Sequence, residues 1–284
     1  MTAVAESTRS TPIAFEGGPI PVAVFLIGAG VGTSSLLYLF QRFVFPAVPQ
    51  RPAALLATVF FATVLAGFAW LVLRWEGVSA SDVGLDRASV IPGVVPVLLI
   101  WAGVNGAGLV LLLAGQSGRI GLPPELSPVL WLVLALSQLV FVGIAEEFAF
   151  RGYLQNRVIA QVGGGETRLR VFTGIVVAAA LFSIWHVPQR VFVQGLAAPD
   201  LLPSLVIIAV YGTILGVIYE LTRNVVFVGV LHGTLNFAPL VVFDGAMEPM
   251  TDAVVVGIPL LVVAVWGYRR WAKRTRPGTF RSRV

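Results

Sequence analysis

Long apolar runs separated by short polar connectors set the pattern of this chain. Eight runs stand out, at roughly residues 20–44, 52–74, 90–115, 127–150, 170–187, 201–222, 224–243 and 253–271. Each is close to the about 20 residues with which an α-helix crosses a bilayer. The connectors PAVPQRP, EGVSASDVGLDRAS, GQSGRIGLPPELSP, VGGGETR and DGAMEPMTD carry the usual helix breakers. Only a tight turn around Thr222–Asn224 separates the sixth and seventh runs. The pattern predicts an all-α fold: a polytopic transmembrane helical bundle of about eight spans, without internal repeats.

Composition strengthens this reading. The chain is 57% hydrophobic and 12% charged, where a soluble domain carries about 25% charged residues. There is no cysteine, which excludes disulfides, thiol catalysis and cysteine metal sites. The polar, slightly acidic N-terminus lacks the basic region of a cleavable signal peptide, so the first run is expected to remain as a helix. The net charge of +5 is no nucleic-acid signature, because seven basic residues sit in the tail RRWAKRTRPGTFRSRV. There they suit anionic lipid headgroups.

Charge also predicts orientation. With eight spans both ends share one side. That side holds Arg9, Arg74, Arg87, Arg151, Arg157, Arg168, Arg170, Arg223 and the seven tail residues, fifteen against Arg42, Arg51, Arg119 and Arg190 on the other. The excess assigns the first side to the cytoplasm, and the loop with Asp244, Glu248 and Asp252 fits the opposite face. The expectation is a multi-pass cell-membrane protein with both termini, and the opening of its site, on the cytoplasmic face.

Against this background, residues 145–152, AEEFAFRG, stand out. An ionisable group at mid-bilayer depth costs roughly 2.5–3.5 kcal/mol, and such groups mark functional sites by default. Glu147 and Arg151 are one helical turn apart and share a face. Glu146 points about 100° away from Glu147 at ideal helical geometry. It is therefore freer to exchange a proton, as a general base must. A second cluster, FSIWH at 182–186, falls on the next run. If the fourth helix continues to the GGG turn at 163–165, an antiparallel hairpin brings His186 near the depth of Glu147. A third cluster is HGTLN at 232–236, where His232 and Asn236 share a face and Gly229 and Gly233 permit close helix approach. Both histidines, the glutamate pair, an arginine and an asparagine can then converge in one intramembrane cavity. Two carboxylates and two imidazoles can activate a water, and His232 and Asn236 can donate to a developing oxyanion.

The motifs Glu146-Glu147-Phe-Ala-Phe-Arg151, Phe182-Ser-Ile-Trp-His186 and His232-Gly-Thr-Leu-Asn236 resemble EExxxR, FxxxH and HxxxN. That series belongs to the CPBP (CAAX protease and bacteriocin-processing, Abi) family of intramembrane proteases. The Arg151-Gly152 pair and SDVGLDR at 81–87 are similar to the family as well. The resemblance implies three segments. Residues 1–79 form an N-terminal segment with two transmembrane helices, 80–243 a CPBP-like protease core, and 244–284 the last transmembrane helix with a basic cytoplasmic tail. It implies catalytic roles for Glu146 as the base, Glu147 and Arg151 as its support, His186 as a holder of the water, and His232 with Asn236 as the oxyanion site. It also implies a membrane-associated or prenylated peptide substrate beside the membrane lipids. No cofactor is expected.

Three alternatives stay open at this level. A zinc-dependent version of the same protease would use Glu146, His186 and His232 as ligands, although the HExxH spacing is absent and Arg151 competes for Glu147. A non-proteolytic bacteriocin-immunity or scaffold protein would not need all six motif positions. A transporter with a carboxylate–histidine relay would be expected to show paired half-chain repeats, and none is visible. Asn105 and Gln138, each alone in an apolar run, are read as interhelical hydrogen-bonding residues. Glu220 is read as interfacial.

Overall fold

The computed structural model describes residues 13–124, 126–162, 167–244 and 255–275. The basic tail beyond Thr275, the acidic residues Glu248 and Asp252 and the 163–165 turn lie outside them. Eight helices follow in order: α1 (Ile20–Val44), α2 (Gln50–Trp75), α3 (Arg87–Leu113), α4 (Pro128–Gln161), α5 (Arg168–Trp185), α6 (Ala198–Thr222), α7 (Val225–Asn236) and α8 (Gly257–Thr275). Six of them are long and apolar enough to cross a membrane; α7, with 12 residues, is the shorter apolar helix of the set. Two short strands, β1 (Gly118–Ile120) and β2 (Val242–Asp244), pair antiparallel with Arg119 opposite Phe243. The fold is thus the polytopic helical bundle expected.

Local chemistry sets the helix ends. The side chains of Asp86, Ser127, Thr167 and Asn224 each accept from a backbone N–H three residues on, opening α3, α4, α5 and α7. Pro128 occupies the first turn of α4, where no donor is missed. The tight turn after α6 is made by Arg223 at φ 49°. It presses on Gly84, where a Cβ would lie 2.1 Å from the Arg223 carbonyl oxygen. α7 stops at Asn236 rather than running to residue 243, because Pro239 cannot continue the helix. The chain then extends into β2, pinned by Asn105, whose Oδ1 accepts from Val241 N at 2.8 Å and Val242 N at 3.1 Å. Asn105 therefore bonds an extended segment rather than another helix.

The outward faces are apolar, with Leu113, Ile91 and Leu99 largely exposed, as lipid-facing residues are. One end of the bundle gathers the start of α1, the end of α2, the end of α4, the α6–α7 turn and the end of α8. There Arg157 pairs with Glu76 at 3.0 Å and also bonds the Gly18 carbonyl, Tyr219 donates to Val83 O, and Asn224 bonds Ser89 O and the Tyr268 hydroxyl. The opposite end holds the α1–α2 connection, the β1–β2 pair and the segment after α5, where Gln41 donates to Phe192 O at 2.8 Å.

Candidate active site

The centre of α4 carries the glutamate pair. Glu146 and Glu147 lie on a regular turn, Ile144–Glu147, between two stretches of wider, π-type turns, Ser137–Gly143 and Phe148–Gln155. Such widened turns gather at functional sites, where they re-aim side chains. α7 crosses α4 at its glycines. A Cβ on Gly233 would lie 2.4 Å from Leu139 Cα, and one on Gly143 would lie 2.0 Å from the Gly229 carbonyl oxygen. Only bare backbone permits this approach, and it sets His232 directly against the glutamates.

A chain of contacts then fixes His232. Arg151 Nε pairs with Glu147 Oε2 at 3.1 Å, with both side chains essentially inaccessible at 2% and 0%. Glu147 Oε1 lies 2.8 Å from His232 Nδ1. Arg151 is held in turn by Gly212 O at 3.2 Å and lies over the Phe182 ring at 4.5 Å. The direct contacts of Glu147 are therefore Arg151 and His232. An ionised carboxylate only accepts, so His232 Nδ1 donates to it.

On the other side, His186 Nδ1 donates to Phe182 O at 2.9 Å, since a carbonyl only accepts. Both rings consequently aim Nε2 at Glu146. The distances from Glu146 Oε2 are 4.0 Å to His186 and 3.9 Å to His232. These are too long for direct hydrogen bonds, and they match the span that a single bridging water covers. With both rings neutral and Glu146 ionised, three acceptors converge on one point, so the group that satisfies them must be a donor. Phe182 stands between the rings, with centroids 4.6 Å from His186 and 6.2 Å from His232.

Glu146, His186 and His232 form the inner wall of a cavity of about 470 Å³. Asn236 lines it too, on the same face of α7 as His232, but more exposed. Gln138 and Trp185 join the lining; Trp185 donates to Ala29 O and Thr33 Oγ1 on α1. Sequence reasoning did not assign the opposite wall, which comes from α1 (Thr33, Ser34, Leu37) and α2 (Ala54, Ala57, Thr58). Small and hydroxylated residues recurring within apolar runs are the signal that could have pointed to it.

The lining extends to Phe45, Gln189, Arg190, Val193 and Gln194, at the end where α1 finishes and α2 begins. Depth along the fourth and fifth runs was legible, but which half of each helix stays unpacked was not. α4 continues through Gln161, as the hairpin reading requires, and Arg151 and Arg157 are buried within the bundle. The interfacial reading of Glu220 changes. Glu220 is fully buried, bonded to Gln155 and Arg223 at 3.2 Å each, and is not among the cavity-lining residues.

Among the described residues, no group of three or more His, Cys, Asp or Glu is arranged to hold a metal ion. The set weighed as zinc ligands, Glu146, His186 and His232, keeps its facing donors about 4 Å apart. The neighbouring carboxylate of Glu147 is committed to Arg151 and His232.

Residues 128–238 match the protein family Rce1-like, described as type II CAAX prenyl endopeptidase Rce1-like. The matched span begins with α4 and ends just past Asn236, so it contains all three motifs. No curated protein and no solved structure matches the chain. Over these residues the resemblance carried by the motifs is shown. The chain is a multi-pass membrane protein, and over residues 128–238 it is similar to an intramembrane protease family.

Proposed function

We propose that the protein is an intramembrane endopeptidase that hydrolyses a peptide bond of a membrane-associated or lipid-modified peptide with a water activated by Glu146. The supporting observation is the convergence of His186 Nε2 and His232 Nε2 on Glu146 Oε2, at 4.0 and 3.9 Å, on the inner wall of the cavity. Glu146 takes a proton from the water as its oxygen adds to the scissile carbonyl carbon. The proton then passes to the amine nitrogen as the C–N bond breaks, leaving an amine and a carboxylic acid that ionises to solvent. His186 orients the water. His232, held by the Glu147–Arg151 pair, takes a proton from solvent as substrate binds, donates its Nε2–H to the oxyanion and keeps that proton through the step, and Asn236 supplies a second donor from the same helix face. No cofactor takes part. Both termini face the cytoplasm.

The test is turnover of a membrane-peptide library by the purified protein in lipid nanodiscs, followed by mass spectrometry. Cleavage that disappears in Glu146→Gln is expected. A Glu146→Gln protein that still cleaves at the wild-type rate would remove this mechanism.

A further inference from the structure

α5 ends at Trp185, and the turn that follows holds His186 loosely. The His186 N–H bonds Ser183 O at 3.0 Å, a tighter turn than the α-helical one. Pro188 has no N–H to give the Ile184 carbonyl. Regular helix geometry therefore does not fix where the imidazole stands. The segment is tied from its flanks instead. On one flank Ser183 Oγ donates to Leu205 O of α6 at 2.6 Å. On the other, Trp185 Nε1 donates to Ala29 O at 2.8 Å and to Thr33 Oγ1 at 3.0 Å, both on α1.

α1 is shaped for that contact. Its Gly28–Gly32 stretch is widened to π-type turns, and the Thr33 N–H bonds Gly30 O. The Ala29 carbonyl accepts from the Thr33 hydroxyl and from the indole. The indole ring is wedged as well. Its centroid lies 5.0 Å from that of Phe150 on α4 and 6.3 Å from that of Phe182. With those rings against its face and α1 holding its N–H, the indole has one orientation. His186 is the next residue, and its ring stands edge-on to the indole at 88°, with centroids 4.9 Å apart. A single side chain thus links α1 to the imidazole whose Nε2 lies 4.0 Å from Glu146 Oε2. α1 itself lies outside the family-matched residues 128–238.

We propose that Trp185 is a positioning residue: its indole, latched to Ala29 and Thr33, sets the orientation of the His186 imidazole, so that α1 is a working part of the site and not only its wall. This rests on the peptidase reading for why the orientation matters to turnover, and not for the orientation itself.

The chain has only two histidines, so isotope-labelled histidine gives one set of ring-nitrogen NMR signals for each in lipid nanodiscs. Those signals report the tautomer, which the hydrogen bond at the other nitrogen sets. Wild-type His186 is expected in the Nδ1–H form that its bond to Phe182 O imposes. Trp185→Phe keeps an aromatic ring and drops the N–H. In it, His186 is expected to become a mixture of tautomers while the His232 signals stay in place. Turnover of the peptide library should fall in kcat by up to about 10²-fold, as a small misplacement of a reacting group does, with KM little changed. Thr33→Val should act in the same direction, and the double variant should be no worse than Trp185→Phe alone, because both break one contact. A single, unchanged His186 tautomer in Trp185→Phe would overturn the proposal. So would equal changes at both histidines, which mark a general loosening. A His186 mixture without loss of kcat would overturn the working role given to α1. If the wild-type protein cleaves no peptide, the peptidase reading fails, and the histidine signals still decide whether Trp185 orients His186.

Discussion

Glu146 and Glu147 are adjacent in sequence and differently committed in space. Glu147 is spoken for by Arg151 and His232, whereas Glu146 Oε2 has no hydrogen-bond partner among the described residues. Their neutral variants should therefore fail differently. Glu146→Gln should lower turnover by about 10²–10⁴-fold, the range of a lost general base, with thermal stability in detergent close to wild type. Glu147→Gln leaves Arg151 buried without its counter-charge. Removing one partner of a buried pair costs about 3–5 kcal/mol, and the remaining amide offsets part of that. A clear fall in melting temperature should accompany its loss of activity, and equal melting curves for the two variants would contradict this division of roles. At the same scale, protein purified without a histidine tag should hold well under one equivalent of zinc. Its turnover should survive chelation. Activity lost to a chelator and restored by zinc would instead make Glu146, His186 and His232 ligands.

At the scale of elements, the site depends on how closely α7 can lie on α4. The backbone of Gln138 and Leu139 leaves no room for a methyl group on Gly233, whose Cβ would fall 2.4–2.5 Å from it. Gly233→Ala should push the helices apart, costing about 1–3 kcal/mol as overpacking does. It should also draw His232 away from Glu147, so that turnover falls further than the stability loss alone predicts. A variant with wild-type turnover would show that this contact is dispensable. The wall from α1 and α2 makes a separate prediction. Ala57→Phe narrows the cavity without touching the charged groups. It should raise KM for bulky peptides while leaving kcat for short ones nearly unchanged.

For the whole molecule, orientation follows from the distribution of arginine and lysine. Reporter fusions after Val284 and within residues 244–252 should give opposite signals, with the former cytoplasmic. A tail that reports outside would reverse the sidedness of every connection.

Much of this was legible before any packing was considered. The helical class, the near boundaries of α1, α2 and α6 and the tight turn at Arg223 follow from apolar run lengths and breakers, which act locally. The six motif residues could be picked out because charge and imidazole are costly in lipid and so stand out against apolar runs. Tertiary structure alone decided the rest. Periodicity at 100° per residue cannot anticipate the π-type turns of Ser137–Gly143 and Phe148–Gln155, which depend on neighbouring helices. It could place Glu147 beside Arg151, but the link to His232 joins residues 85 apart in sequence through a glycine contact between helices. The sealed end of α4 is the more polar by sequence, with Arg151, Gln155, Asn156 and Arg157, so composition alone would point to the wrong end as open. Packing made the difference: α2, α5, α6 and α7 close on residues 148–155, with Phe25 of α1 against Phe150 and Tyr153, while a cavity is left on the Glu146 side between α1, α2 and the segment after α5.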